Sequence, residues 1–154
     1  VGMRGLLVMF LCAHCPYVKH VEQELARIGH DYAVKGLGIV GISSNDATAY
    51  AEDTPEGLRA QSLRNRFTFH YLYDETQEVA RAYHAACTPD YFLFDSNSKL
   101  VYRGQLDASR PGNGIPVDGR DLRAAIDAVM ADKSVAVEQR PSIGCAITWK
   151  KVLT

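Results

Sequence analysis

The sequence predicts an α/β domain: a central mixed β-sheet flanked by helices, with an αβ insertion between a βαβ half and a ββα half. Three observations carry this. An apolar run at 6–11 is followed by an amphipathic helical pattern and a second apolar run at 39–43. A Cys-x-x-Cys pair, Cys12 and Cys15, sits where the first run ends and the helix begins. Thr88-Pro89 stands immediately before two short apolar runs joined by a turn.

Residues 6–11 form an unbroken apolar run, as a buried central strand requires. Pro16 suits the first turn of a helix, where a missing N–H costs nothing. Val18, Val21, Leu25 and Ile28 recur at spacings that share one helical face. Gly36 and Gly38 close this unit and residues 39–43 give the second strand, so strand, helix and strand make a parallel pair. A polar loop follows over 44–53. Thr54-Pro55-Glu56 reads as a capped start for a helix to about Arg66. A short strand is expected at 71–73, then a helix capped by Asp74 or Thr76, with Val79 and Tyr83 on one face. Residues 91–103 read as a hairpin around Asp95-Ser96-Asn97-Ser98. Asp118, with Asp121 three residues on, resembles a capping box opening a last helix with Leu122, Ile126 and Val129. Residues 1–132 therefore read as one domain and 133–154 as a tail packing on it. Phe67, Phe69, Tyr71 and Tyr73 read as packing aromatics, and Lys150-Lys151 as a solvated pair.

The chain has 154 residues and a formal net charge of −1. That size supports a core without disulfide staples, and the charge gives no electrostatic case for nucleic acid or an acidic membrane surface as a partner. No apolar run reaches the ~18 residues that span a bilayer. Val1 to Leu11 superficially resembles a signal peptide, but no small-residue cleavage site follows. Four cysteines are too few for a secreted disulfide scaffold, so the expectation is redox or metal chemistry in the cytoplasm. A structural zinc needs two further ligands. No second Cys-x-x-Cys or His-x-x-x-His occurs, and His70, His84, Cys87 and Cys145 are scattered, so no metal and no cofactor is expected.

A thiol at a helix N-terminus is stabilised as the thiolate. With Cys12 as nucleophile, an ordinary pKa near 8.5 leaves only a few per cent thiolate at neutral pH, and a fall of ~2 units, about 2.7 kcal/mol, makes it the main form. The helix terminus supplies ~1–2 kcal/mol of that, and His14, Lys19 and His20 lie close in sequence. A depressed pKa is thus expected at Cys12, with Cys15 one turn on as resolving thiol and His14 as tuning group. His20 reads more simply as a solvated or satisfied histidine.

The dithiol at a strand–helix junction together with Thr88-Pro89 before a hairpin resembles the thioredoxin superfamily. Cys12-Ala13-His14-Cys15-Pro16-Tyr17-Val18-Lys19-His20, Tyr73-Asp74-Glu75-Thr76-Gln77, Cys87-Thr88-Pro89-Asp90 and Pro141-Ser142-Ile143-Gly144-Cys145 resemble the bacterial peroxiredoxin-like (redoxin, AhpC-TSA-related) proteins, over residues 6–151. The resemblance implies a thioredoxin-like fold with Thr88 and Pro89, in a cis-proline loop, facing the dithiol and binding substrate. It implies thiol–disulfide exchange with a disulfide-containing protein or small thiol, and a thioredoxin- or glutathione-type reductant. The rival readings are a thiol-dependent, antioxidant peroxidase with Cys15 meeting a hydroperoxide and Cys12 resolving, and a non-catalytic binding module. Cys87 then lies near the site, either as a small buried hydrophobe or as a redox group. Cys145 either pairs with Cys87 or joins the dithiol as a further resolving thiol.

Three departures are visible. Family members usually carry a β-rich segment before the first strand, which this chain lacks; a homodimer is one way to supply it. Thioredoxins keep a buried acid beside the dithiol, and here no Asp or Glu precedes Glu22, leaving His14 or water as base. Peroxiredoxins carry P-x-x-x-T-x-x-C, where this chain has Val8 for the proline and Cys12 for the threonine when aligned on Cys15. That speaks against efficient peroxide reduction.

Overall fold

Along the first strand, β1 (Gly5–Phe10), Leu7 and Met9 face one layer while Val8 and Phe10 face the other. This two-residue alternation sets the architecture. On the first side lie α1 (Pro16–Ala33) and α4 (Arg120–Met130), which contribute Val18, Val21, Leu25, Ile28, Leu122, Ile126 and Val129 to the main core. On the second side Ala80 and Tyr83 of α3 (Glu78–Tyr83) pack with Ile147 against Val8, Phe10 and Phe92. The structure is a computed structural model and describes residues 3–151; the outer ends of the two segments expected from the sequence, 1–2 and 152–154, lie outside the described residues. Among the described residues no helix is long and apolar enough to cross a membrane.

The sheet has five strands in the order β3-β2-β1-β5-β6, where β2 is Leu37–Ser43, β3 His70–Tyr73, β5 Asp90–Asp95 and β6 Leu100–Gly104. β2 runs parallel to β1, pairing Gly5 with Leu37 through Phe10 with Ile42, and β3 runs parallel to β2. β5 is antiparallel to β1, and β6 to β5. The mixed sheet flanked by helices is thus the predicted one. β2 begins two residues earlier than its apolar run, so Gly38 lies inside the strand; Gly36 alone, at φ 93°, makes the turn after α1.

Helix starts differ in detail from the sequence reading. Thr54 Oγ1 accepts the Gly57 N–H at 3.2 Å and opens α2 (Pro55–Asn65) as expected. α3 has Gln77 at its N-cap position, yet Asp74, one of the two caps expected, accepts the N–H groups of Val79 and Ala80 from outside the helix. α4 starts one residue later than the Asp118 capping box would place it, with Gly119 as N-cap at φ 69°. The reason is Asp107, whose Oδ2 accepts the Asp118 and Gly119 N–H groups, while Asp121 turns to Gln105. Buried Glu24 accepts from Arg27 at 2.8 Å and Arg123 at 2.7 Å, which fastens α1 to α4.

Two short elements have no counterpart in the sequence reading. A 3₁₀ turn, Ala51–Asp53, interrupts the polar loop after β2. A second, two-stranded sheet pairs β4 (Cys87–Thr88) with β7 (Cys145–Ala146) from the tail. The approach at Gly144 is close: a Cβ there would lie 2.0 Å from the Thr88 carbonyl oxygen. Gly144→Ala is therefore expected to separate β7 from β4 and to cost about 1–3 kcal/mol, the usual range for overpacking. The Ile147 N–H, now bonded to the Ala86 carbonyl at 3.0 Å, should then exchange with solvent deuterium faster than in the parent chain.

Candidate active site

The ladder runs one bond past β1, from Leu11 N–H to Ile42 O, and the chain then turns through Cys12-Ala13-His14. Cys15 is the N-cap of α1, in extended geometry, with Pro16 as first helical residue. No acid occupies the first turn and no side chain closes the cap. Pro16 has no N–H and the Val18 and Lys19 N–H groups bond the Cys15 carbonyl, so the positive end of this 18-residue helix is set against Cys15.

Thr88 organises the sulfurs. Its Oγ1 lies 3.3 Å from Cys12 Sγ and its carbonyl oxygen 3.5 Å from Cys15 Sγ. The Thr88–Pro89 bond is cis. All four cysteines are free thiols, and Cys12 and Cys15 are each 0% exposed. The expected depression at Cys12 is reversed. The hydrogen bond it donates to Cys15 and its burial push Cys12 up, with the Asp53 charge adding to both. Cys15 is brought down to about 4, first by that same Cys12 S–H, then by the Cys145 thiol and the N–H groups of Val18 and Cys145, against the cost of burial. The physical cause is position: Cys15 sits at the cap, where donors converge, whereas Cys12 sits one turn outside it. As a thiol Cys15 makes only the long bond to the Thr88 carbonyl; as a thiolate it accepts from several donors.

The acid missing from the neighbouring sequence is supplied by Asp53, at the end of the 3₁₀ turn and 0% exposed. Its Oδ1 accepts the Ala13 N–H at 2.8 Å and the His14 N–H at 3.0 Å, and its Oδ2 meets His14 Nδ1 and Asn45 Nδ2. His14 also stacks on Tyr50, with ring centroids 3.7 Å apart and planes at 2°. Buried Gln61 of α2 donates to the Cys12 carbonyl at 2.9 Å. Asp53, Gln61, Asn45 and Tyr50 thus shape a loop distant from them in sequence. The only sequence signal for Asp53 is an acid inside a polar loop just before a helix cap, too common to single it out.

Register separates the other two cysteines. Thr88 pairs with Cys145 and Cys87 with Ala146. Residues directly opposite share a face, so Cys145 lies on the Thr88 side with the dithiol and Cys87 turns to the other. There Cys87 Sγ is within 3.7 Å of the Pro89 carbonyl, and burial pushes its thiol up to about 11. Cys145 is half-buried, receives the Tyr17 N–H, and is raised to about 11 by burial and by its contact with Cys15.

Cys12, His14 and Asp53 offer donor atoms within 4.8 Å of one another, the one such group of potential metal ligands among the described residues. All three already bond to each other's neighbours, to backbone N–H groups or to Thr88, and a closed zinc site needs a fourth ligand. Two cavities of about 580 Å³ lie beside α4 and residues 132–140, away from the dithiol. Beside Pro89 a cavity of about 20 Å³, lined by Tyr17, Tyr91, Ser142 and Ile143 among others, has room for about one water.

A five-stranded mixed sheet, a Cys-x-x-Cys at the start of its first helix and a proline loop facing it define a thioredoxin-fold redoxin. The AhpC/TSA family matches residues 2–103, and the chain belongs to that family. A hypothetical protein of Sinorhizobium meliloti is 50% identical with a TM-score of 0.94, over 96% of this chain and 80% of that one. An uncharacterized conserved protein of Geobacillus kaustophilus is 54% identical with a TM-score of 0.95, over 97% and 79%. A secreted Mycobacterium tuberculosis disulfide oxidoreductase homologous to E. coli DsbE shares the fold at 11% identity and a TM-score of 0.60, over 84% and 81%. No curated protein matches the sequence.

Proposed function

We propose that this chain is a thiol–disulfide oxidoreductase in which Cys15, rather than Cys12, is the attacking thiolate. The observation that carries this is the position of Cys15 at the N-cap of α1 beside Thr88, where the Cys12 and Cys145 thiols and the Val18 and Cys145 N–H groups converge on it. The Cys15 thiolate attacks a substrate disulfide, forms a mixed disulfide and expels one thiolate. Cys12 then attacks Cys15 Sγ and releases the second, leaving a Cys12–Cys15 disulfide and two reduced substrate thiols. Attack by Cys12 requires loss of its proton, and the His14–Asp53 pair, with donor atoms within 4.8 Å of the Cys12 sulfur, is the acceptor we assign. Substrates of this chemistry are disulfide-containing proteins or small disulfides, and the return electrons come from a thioredoxin- or glutathione-type thiol.

The pH dependence tests the assignment. A group with a depressed pKa is ionised above that value and neutralised as pH falls through it. The reduced chain should show a thiolate absorbance that persists at neutral pH and is lost only as pH falls through about 4. In Cys15→Ser this step should vanish; its survival there, or a first thiolate appearing only above neutrality, would sink the assignment.

The burial of both sulfurs favours a second reading, since a small hydroperoxide enters more easily than a protein disulfide. Cys15 thiolate would take one peroxide oxygen to become a sulfenic acid, releasing an alcohol, and Cys12 would condense with it and release water. Peroxide consumption by the reduced chain separates the two readings.

A further inference from the structure

The dithiol has a third thiol built against it. Cys12 and Cys15 are sealed from solvent, whereas Cys145 is half-exposed. Thr88 touches all three: its hydroxyl meets Cys12, its carbonyl meets Cys15, and its partner across the β4–β7 ladder is Cys145. Cys145 reaches Cys15 through both its side chain and its N–H. The segment that carries it is held on both flanks. Ser142 Oγ donates to the Pro89 carbonyl, Ile147 N–H to Ala86 O, Thr148 N–H to Asn45 Oδ1, and Asp46 N–H to Thr148 O. Cys15 is therefore the central sulfur, with a fully buried neighbour, Cys12, on one side and a half-buried one, Cys145, on the other.

We propose that Cys145 is the exchange port of the buried pair, passing electrons between an external dithiol and Cys12/Cys15 through a transient Cys15–Cys145 disulfide. This rests on the dithiol reading above. Starting from the Cys12–Cys15 disulfide, the Cys145 thiolate attacks Cys15 Sγ. The Cys15–Cys145 bond forms, the Cys12–Cys15 bond breaks, and Cys12 leaves with the electron pair and takes up a proton. Oxidation state is unchanged in this step. One thiolate of an external dithiol then attacks the sulfur of Cys145, the least buried of the three, and expels Cys15. Its second thiol attacks the mixed disulfide and frees Cys145. The external dithiol is oxidised by two electrons and the protein is reduced. Cys15 suits the leaving role because the thiol of lowest pKa leaves fastest.

The test uses the full chain with dithiothreitol as the external dithiol. Oxidised wild type and oxidised Cys145→Ser, each carrying the Cys12–Cys15 disulfide, are reduced and quenched with an alkylating reagent. Reduction of Cys145→Ser should be slower by at least about tenfold, because the remaining sulfurs are shielded from attack. Cys12→Ser, mildly oxidised, should form a Cys15–Cys145 disulfide on peptide mapping, as should wild type quenched part-way through reduction. Equal reduction rates in wild type and Cys145→Ser, or no Cys15–Cys145 linkage in Cys12→Ser, would overturn the port. Failure of wild type to form any Cys12–Cys15 disulfide would instead overturn the dithiol reading, which the Cys12→Ser mapping does not depend on.

Discussion

Cys15→Ser is expected to abolish disulfide reduction, by roughly 10³-fold or more, as removal of a covalent nucleophile does. Cys12→Ser should behave differently: Cys15 keeps its place at the head of α1 and still attacks, but resolution by Cys12 stops and only Cys145 is left to close on Cys15. With Cys145→Ser added so that no third thiol takes over, a mixed disulfide at Cys15 should accumulate in Cys12→Ser/Cys145→Ser and be absent from Cys15→Ser, as read by intact-protein mass after incubation with a small disulfide. The reverse pattern, trapping at Cys15→Ser, would return the attacking role to Cys12. The contrast follows from position: Cys15 alone is the N-cap of α1, while burial and the Asp53 charge raise Cys12. A helix terminus favours whichever sulfur its N–H groups reach, and here that is the second cysteine of the pair.

The second large effect is expected at Asp53. Asp53→Ala removes the acceptor of the Ala13 and His14 N–H groups and the partner of the His14 ring and Asn45. Each buried donor left unsatisfied costs about 1–3 kcal/mol, so the sum should exceed about 3 kcal/mol. The check is a urea transition whose midpoint falls while its slope stays constant. Asp53→Asn keeps an acceptor while removing the charge. It should lose less stability and also bring the Cys12 thiol down, because the Asp53 charge is one of the causes that raise it. If Asp53→Ala unfolds at the parent midpoint, the carboxylate does not organise the loop.

What could be read from the sequence follows physical range. The β1–α1 junction is local: an apolar run, a cysteine pair, a proline and a helical stripe signal it within a few turns of chain. Thr54 and its helix are local in the same sense. Asp53 is not, because its partners lie 39 and 40 residues earlier and a 3₁₀ turn brings it to them. The pairing of Cys145 with Thr88 is invisible for a related reason. A two-residue ladder leaves no periodicity, so the dithiol side of the tail is decided only by register. The Asp118 capping box failed because Asp107, upstream in the chain, binds the same N–H groups. The depression expected at Cys12 does not occur because its burial and the Asp53 charge, which comes from a distant loop, both raise it.

The β4–β7 ladder also bears on how the chain is made. Synthesis runs from the N-terminus, so the dithiol and α1 emerge before Asp53, the proline loop follows, and the strand bearing Cys145 comes after all of these. Until that strand docks on Thr88, the dithiol lacks part of its covering and two of the donors that set its acidity. A nascent chain therefore presents a chemically different pair of thiols from the mature protein. The surroundings of the dithiol are complete only once a distant segment has arrived.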